Sequence, residues 1–340
     1  MNKLFTIITL LFISNTAVFA SETKGVITTI QPINALVNAV IGNTGGSTLL
    51  IPSEVSPHEF KLKPSDVKTL QDGNIIFYIS NHLESSITKV FKNLPKNIKI
   101  VNLMEETGIN HLAIRDNEAW ERHDHHDDHD KHAKKDDDHD DHDKHAKKDD
   151  DHDDHDKHAK KDDDHDDHEK EDDVHIWLDP DNAIKIIQKV NKELSLLFPE
   201  NSQIYNKNAT NITNKITELK SELKEELLSI KDKPYIVFHD AYQYFEKVFG
   251  LNAVGSIALE DDVATSPKQI SYIRNKIIKS NVSCVFQEPQ FDNKLVKTVV
   301  EGTDAKIGTL DPLGVDIANK KDFYLQLLRN MSKSLKECLG

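Results

Sequence analysis

Between Glu121 and Asp173 the chain carries 26 acidic residues, 11 basic ones, 13 histidines and only three apolar side chains, Ala133, Ala146 and Ala159. A stretch with so little apolar surface cannot offset the entropy of its own ordering, so 121–173 is expected to be a disordered loop. Any core must then be built from the two flanks. The stretch holds the entire formal charge of −15, and the remainder of the 340 residues is neutral. Without a basic face the chain is not expected to partner nucleic acid, which requires clustered Lys and Arg. Setting the stretch aside raises the apolar share from 37% to about 43%, ordinary for a folded protein and enough for two domain-sized units.

The stretch is a tandem repeat. The string His126-Asp127-Asp128-His129-Asp130-Lys131-His132-Ala133-Lys134-Lys135 recurs from His139 and again from His152, with a partial fourth copy from His165. Imidazole beside carboxylate suits zinc, copper or nickel better than calcium. His126, His129, His132, His139, His142, His145, His152, His155 and His158 are therefore candidate auxiliary metal sites, expected to be several, weak and exchanging because nothing fixes their geometry. The plainer reading of the repeat is a solvated acidic spacer.

Residues 1–20 read as a secretory signal. Lys3 precedes a largely apolar run from Leu4 to Ile13, and Val18-Phe19-Ala20 places small residues where a signal peptidase cuts, so the mature chain is expected to begin at Ser21. No later segment approaches the roughly 20 apolar residues of a spanning helix. The only cysteines, Cys284 and Cys338, lie far from the cleavage point, so no lipid anchor is expected there. An exported, unanchored protein suits the periplasm. Two cysteines in an oxidising compartment suggest one disulfide, worth about 2 to 4 kcal/mol across a loop of about 55 residues. Two unpaired buried thiols are the alternative.

The flanks alternate short β-rich runs with helical stretches. The runs are Val26 to Ile30, Thr48 to Ile51, Ile75 to Ile79 and Ile98 to Leu103, then Tyr235 to Phe238, Ala253 to Ile257, Ser283 to Phe286 and Lys306 to Leu310. This alternation predicts α/β architecture with parallel sheets. A helix is expected over Pro267 to Lys279, where Ser266 and Gln269 form a capping-box pattern and Ile270, Ile273 and Ile277 share a face. Residues 200–232 contain neither Gly nor Pro and are expected to form a long bridging helix. The expected organisation is an N-terminal Rossmann-like lobe from 21–120 plus 174–199, the bridge, and a C-terminal lobe from 233–340.

Doubly wound sheets bind ligands beyond the carboxyl ends of their strands. His58 follows the run ending at Ile51 through a turn, and His239 directly follows Phe238. Glu288 and Asp311 follow Gln287 and Leu310. His175 lies in the first apolar segment after the repeat, just before the helix start Asp179-Pro180. His82 and His111 lack such a setting and read as surface residues.

His58-Glu59-Phe60-Lys61-Leu62-Lys63-Pro64-Ser65-Asp66, His175-Ile176-Trp177-Leu178-Asp179-Pro180, Phe238-His239-Asp240-Ala241-Tyr242 and Thr309-Leu310-Asp311-Pro312-Leu313-Gly314 occur in that order. Together with Cys284-Val285-Phe286-Gln287-Glu288-Pro289-Gln290-Phe291, they resemble the zinc-specific periplasmic binding proteins of ABC importers (the ZnuA type, cluster A-I). The resemblance implies two α/β lobes joined by a rigid helix, with metal in the cleft between them. It implies ligands at His58, His175 and His239, with Asp311 near the metal, and a disulfide between Cys284 and Cys338. It further implies zinc as cargo rather than catalytic cofactor, a membrane permease as partner, a monomer, and no enzymatic activity. Some relatives carry an acidic residue before the first histidine, where this chain has Pro57. The fourth ligand is accordingly Asp311 first, water second, and Glu288 or Glu59 third.

Three imidazoles and one oxygen favour zinc over manganese, which takes more oxygen and higher coordination, although copper outranks zinc in intrinsic affinity. Only neutral imidazole coordinates, and a free one has a pKa near 6.5, so zinc affinity is expected to fall below about pH 6. Competition titrations at about pH 5.5 and about pH 7.5 check this, and equal affinities would contradict it. Two other classes fit parts of the pattern. One is a zinc store or chaperone working through the repeat. The other is a metallohydrolase with Glu288 or Glu59 as base, although no His-Glu-x-x-His helix is present.

Overall fold

The computed structural model describes residues 21–115, 171–258, 266–318 and 321–340. The expectations for the leader 1–20, for the disordered loop and for the nine repeat histidines fall largely or wholly outside them. Two four-stranded, all-parallel sheets form the frame. The first holds β1 (Thr23–Thr28), β2 (Gly45–Leu49), β3 (Ile75–Tyr78) and β4 (Lys99–Asn102), interleaved with α1 (Gln31–Ile41), α2 (Pro64–Gln71) and α3 (Ser85–Phe91). The second holds β5 (Tyr235–Val237), β6 (Ala253–Ser256), β7 (Cys284–Gln287) and β8 (Lys306–Thr309). Central strands covered on both faces must be apolar throughout, and β3 and β5 are buried at every position, whereas the edge strand β8 is largely exposed. All eight strands coincide with the β-rich runs of the sequence to within a few residues. The chain thus forms two α/β lobes.

Between the sheets run α4 (Pro180–Leu197) and α5 (Ser202–Leu227). The bridging helix is shorter than the Gly- and Pro-free stretch allowed, because the chain enters through the turn Pro199–Asn201 and leaves through Leu228–Ile230. Asn201 explains the entry: its buried amide donates to the carbonyl of Ser21 at 2.8 Å, which ties the turn to the start of β1. At 1.5 Å per residue α5 is roughly 39 Å long. It buries Tyr205, Ala209, Ile212, Ile216, Leu219, Leu223 and Leu227 along one face, against α1, α4 and the C-terminal helix.

The second lobe is completed by α6 (Gln243–Phe249), α7 (Pro267–Lys279), α8 (Lys294–Val300) and α9 (Phe323–Leu339). α7 spans the residues expected of it, and the Ser266 hydroxyl accepts from the Gln269 N–H at 3.2 Å. Cys284 on β7 is bonded to Cys338 on α9, with Cα atoms 6.0 Å apart, which pins the last helix to the second sheet. One apolar cluster runs from the first sheet through α4 and α5 to α9, so the lobes share a core along one side. Among the described residues no helix is long and apolar enough to cross a membrane.

Strand order reverses between β1 and β3 in the first sheet and between β5 and β7 in the second. Chains leaving such a pair diverge and open a crevice. In the first lobe a carboxylate of the chain itself fills it. Glu84, fully buried, accepts from the Thr29 hydroxyl at 2.6 Å and from the Ile79 and Ser80 N–H groups at 3.0 Å. Burial pushes its carboxyl up to about 7 against the pull of those bonds. The corresponding crevice of the second lobe holds His239 and Glu288.

Candidate metal centre

Three histidines from distant segments meet between the lobes. His58 sits in the loop after β2, His175 opens the short turn Ile176–Leu178, and His239 stands two residues past β5. The Nε2 atom of His175 lies 3.4 Å from that of His58 and 3.4 Å from that of His239. One ligand atom from each ring falls within 4.8 Å of the others. Nitrogens about 2.0 to 2.1 Å from a tetrahedral ion are roughly 3.3 to 3.4 Å apart, so the spacing matches one small ion bound at a shared centre. The space between the rings, about 10 Å³ and open on one side, has room for about one water-sized sphere.

Two of the rings are fixed from behind. The Asp173 carboxylate accepts from His175 Nδ1 at 2.8 Å and from the His175 backbone N–H at 2.9 Å. The Glu288 carboxylate accepts from His239 Nδ1 at 2.7 Å. A carboxylate can only accept, so each bond places the proton on Nδ1 and leaves the Nε2 lone pair facing the centre. Both rings are largely buried, at 7% and 8% exposure, while His58 is exposed. The site is therefore an inner pair of anchored rings and an outer ring on a loop. Beneath it Trp177 donates to the Pro312 carbonyl of the other lobe at 2.9 Å, and its own carbonyl accepts from the Tyr324 hydroxyl at 2.7 Å.

Asp173 owes its place to a short antiparallel pairing. Ala113 pairs with Asp172, the Ile114 N–H donates to the Glu171 carbonyl at 2.8 Å, and the Asp173 N–H donates to the Leu112 carbonyl at 2.7 Å. The chain entering 116–170 and the chain leaving it are thereby joined in a neck. The neck ends two residues before His175.

The other expected residues take different places. Asp311 is not in the histidine group. Its carboxylate accepts from the N–H groups of Leu313 at 3.0 Å, Gly314 at 2.8 Å and Val315 at 2.6 Å, and from the Gln290 side chain at 3.0 Å. Gly314, at φ +76°, supplies the left-handed residue this turn needs. Glu288 stands behind His239, and Glu59 is exposed beside His58. His82 is exposed, and half-exposed His111 pairs with Asp172 at 2.8 Å.

The family model described as zinc-uptake complex component A, periplasmic (ZnuA), matches residues 26–338. The chain belongs to that family. A curated member from Brucella suis, named a high-affinity zinc uptake system protein, is 42% identical over 321 residues, covering 94% of this chain and 93% of its own. One of the same name from Haemophilus ducreyi is 32% identical over 334 residues, covering 98% of both chains. A crystal structure of a ZnuA superposes with a TM-score of 0.71 at 20% identity, covering 95% of this chain and all of the other, which supports the two-lobed fold. The family matched is the one the sequence motifs resemble.

Proposed function

We propose that this protein captures zinc in the periplasm and delivers it to the membrane permease of a zinc importer, binding the ion at His58, His175 and His239. The observation that carries this reading is the 3.4 Å spacing of the Nε2 atoms together with the carboxylates that aim two of them. Membership in a zinc-uptake family supplies the cargo. Asp311 is committed to its turn and Glu288 to His239, so the fourth position falls to water, as in three-ligand zinc sites that keep one position open. Zinc is cargo here, and the role is binding rather than catalysis.

The inner pair, His175 from the segment after the neck and His239 from the second lobe, is held in binding orientation by hydrogen bonds within the protein. His58 completes the shell from the solvent side. Binding joins the lobes and biases the molecule toward one shape, the difference a permease has to read. The repeat would act as a tethered low-affinity collector that raises the local zinc concentration.

The test is metal stoichiometry. Protein lacking residues 116–170 is expected to retain one tightly bound zinc per chain by competition titration against a chelator. Loss of all tight zinc with that segment would instead make the protein a store.

A further inference from the structure

The neck that precedes His175 reaches across to the second lobe, where a set of its hydrogen bonds lands on residues just beyond His239. The Tyr244 hydroxyl donates to the Asp173 carbonyl at 2.9 Å and accepts from the Leu112 N–H at 3.2 Å. The Gln243 side chain donates to the Ala113 carbonyl at 3.2 Å and to the Asp173 carboxylate at 3.3 Å. Arg115 completes the set with a fork. Its Nε donates to Asp240 Oδ2 at 2.8 Å, its Nη2 to Asp240 Oδ1, and its Nη1 to Glu246 Oε2 at 2.6 Å.

We propose that Arg115 is a positioning residue, the lock of an interlobe clasp that sets how long a bound zinc ion stays. This deepens, and rests on, the three-histidine reading of the site. The clasp ends two residues before His175 and begins one residue after His239, so it fixes the backbones of the two inner ligands relative to each other. Lobe separation that pulls those rings apart has to break it. Among the neck's contacts with the second lobe, the Arg115 fork is the charge-assisted and bidentate one, and therefore the strongest. Its side chain is 22% exposed, and its partners Asp240 and Glu246 are 17% and 6% exposed. Burial raises Glu246 to about 7 against the pull of Arg115, which shows how poorly the pocket holds a carboxylate. Without the guanidinium, two largely buried acids from one stretch of the second lobe would lose its hydrogen bonds and charge, and the seam between the lobes would weaken.

A weakened seam shows in release more than in capture, because related sites differ mainly in dissociation rate. The experiment follows zinc dissociation from the full chain into excess chelator by stopped flow, with the association rate measured in parallel. Arg115→Gln is expected to release zinc about 10- to 100-fold faster, the range found when a group that orients a metal ligand is lost. Its association rate should stay within about threefold of wild type, and Arg115→Lys, which restores the charge but not the fork, should fall between the two. Cobalt in place of zinc should give the same d–d spectrum in all three, a readout that a damaged fold would not preserve. A folded Arg115→Gln protein that releases zinc within about twofold of wild type, while tight binding still requires His175, overturns the clasp and leaves the site standing. A tight ion indifferent to His175→Ala overturns both. Should Arg115→Gln not fold, Asp240→Asn, which removes a charge without changing shape, is held to the same thresholds.

Discussion

Alanine at His175 is expected to weaken zinc binding by about 100- to 1000-fold. Zinc bound by four protein ligands is worth roughly 10 to 16 kcal/mol, or about 3 kcal/mol for each ligand, and every 1.4 kcal/mol is tenfold. His175 is the ring to test first because its Nε2 lies 3.4 Å from both of the others, so its removal breaks both close pairs. His239→Ala should cost about as much, with the added strain of a buried Glu288 carboxylate left without its imidazole donor. His58→Ala should cost least. That ring is exposed on a loop, and water can take its place at little entropic cost. Triple alanine should leave no tight ion. Chelator competition at pH about 7.5 reads all four variants, with circular dichroism to verify that each is folded. Retention of affinity within tenfold in His175→Ala would remove the basis for the proposed centre.

The frame was legible because parallel sheets impose a strict pattern. Continuous apolar runs such as Ile75 to Tyr78 have few other uses in a soluble α/β protein, and their alternation with helices located all eight strands. The same rule, polar residues just past strand ends, singled out His58 and His239, while the apolar segment before the helix start Asp179-Pro180 singled out His175, and the structure brings the three together. It singled out Asp311 by the same logic, and there the geometry differs. Asp311-Pro312-Leu313-Gly314 is also a turn signal, with an acceptor first and a residue able to adopt positive φ fourth, and that is how the carboxylate is used. Glu288 posed a subtler problem. Whether a strand-end carboxylate faces the ion or stands behind a histidine depends on the divergence of β5 from β7, which neither strand's sequence contains.

Asp173 and Glu84 were hidden for opposite reasons. Asp173 ends an acidic run and by composition matches the repeat before it, yet its pairing with Leu112 lifts it out of that setting. Its only local sign is that it precedes the apolar segment Val174-His175-Ile176. Glu84 has no sign at all, since a lone glutamate before a helix reads as a surface residue until the burial of its carboxylate in the first crevice is seen.

Two deletions, one of 121–173 and one of 116–170, differ in whether Glu171–Asp173 survive and should therefore differ by about 10- to 100-fold in zinc affinity. Composition alone suggests cutting from 121 to 173, since Glu171, Asp172 and Asp173 continue the acidic run. That cut removes one whole strand of the neck, and with it the acceptor of His175 Nδ1 and the bond to the His175 backbone. The imidazole could then turn about its side-chain bonds and exchange tautomers, so that Nε2 would present its lone pair to the centre only part of the time. Joining Arg115 to Glu171 through a short Gly/Ser linker instead keeps Leu112–Ile114 paired with Glu171–Asp173, and wild-type affinity is expected. Point variants separate the carboxylate from the strand. Asp173→Asn keeps an oxygen that can accept from Nδ1 and should lose less than Asp173→Ala, because charge assistance roughly doubles the strength of such a bond but does not create it. Equal affinities in the two deletions would mean that His175 finds its orientation without Asp173, and the packing of its ring against Trp177, with centroids 5.2 Å apart, would then have to hold it.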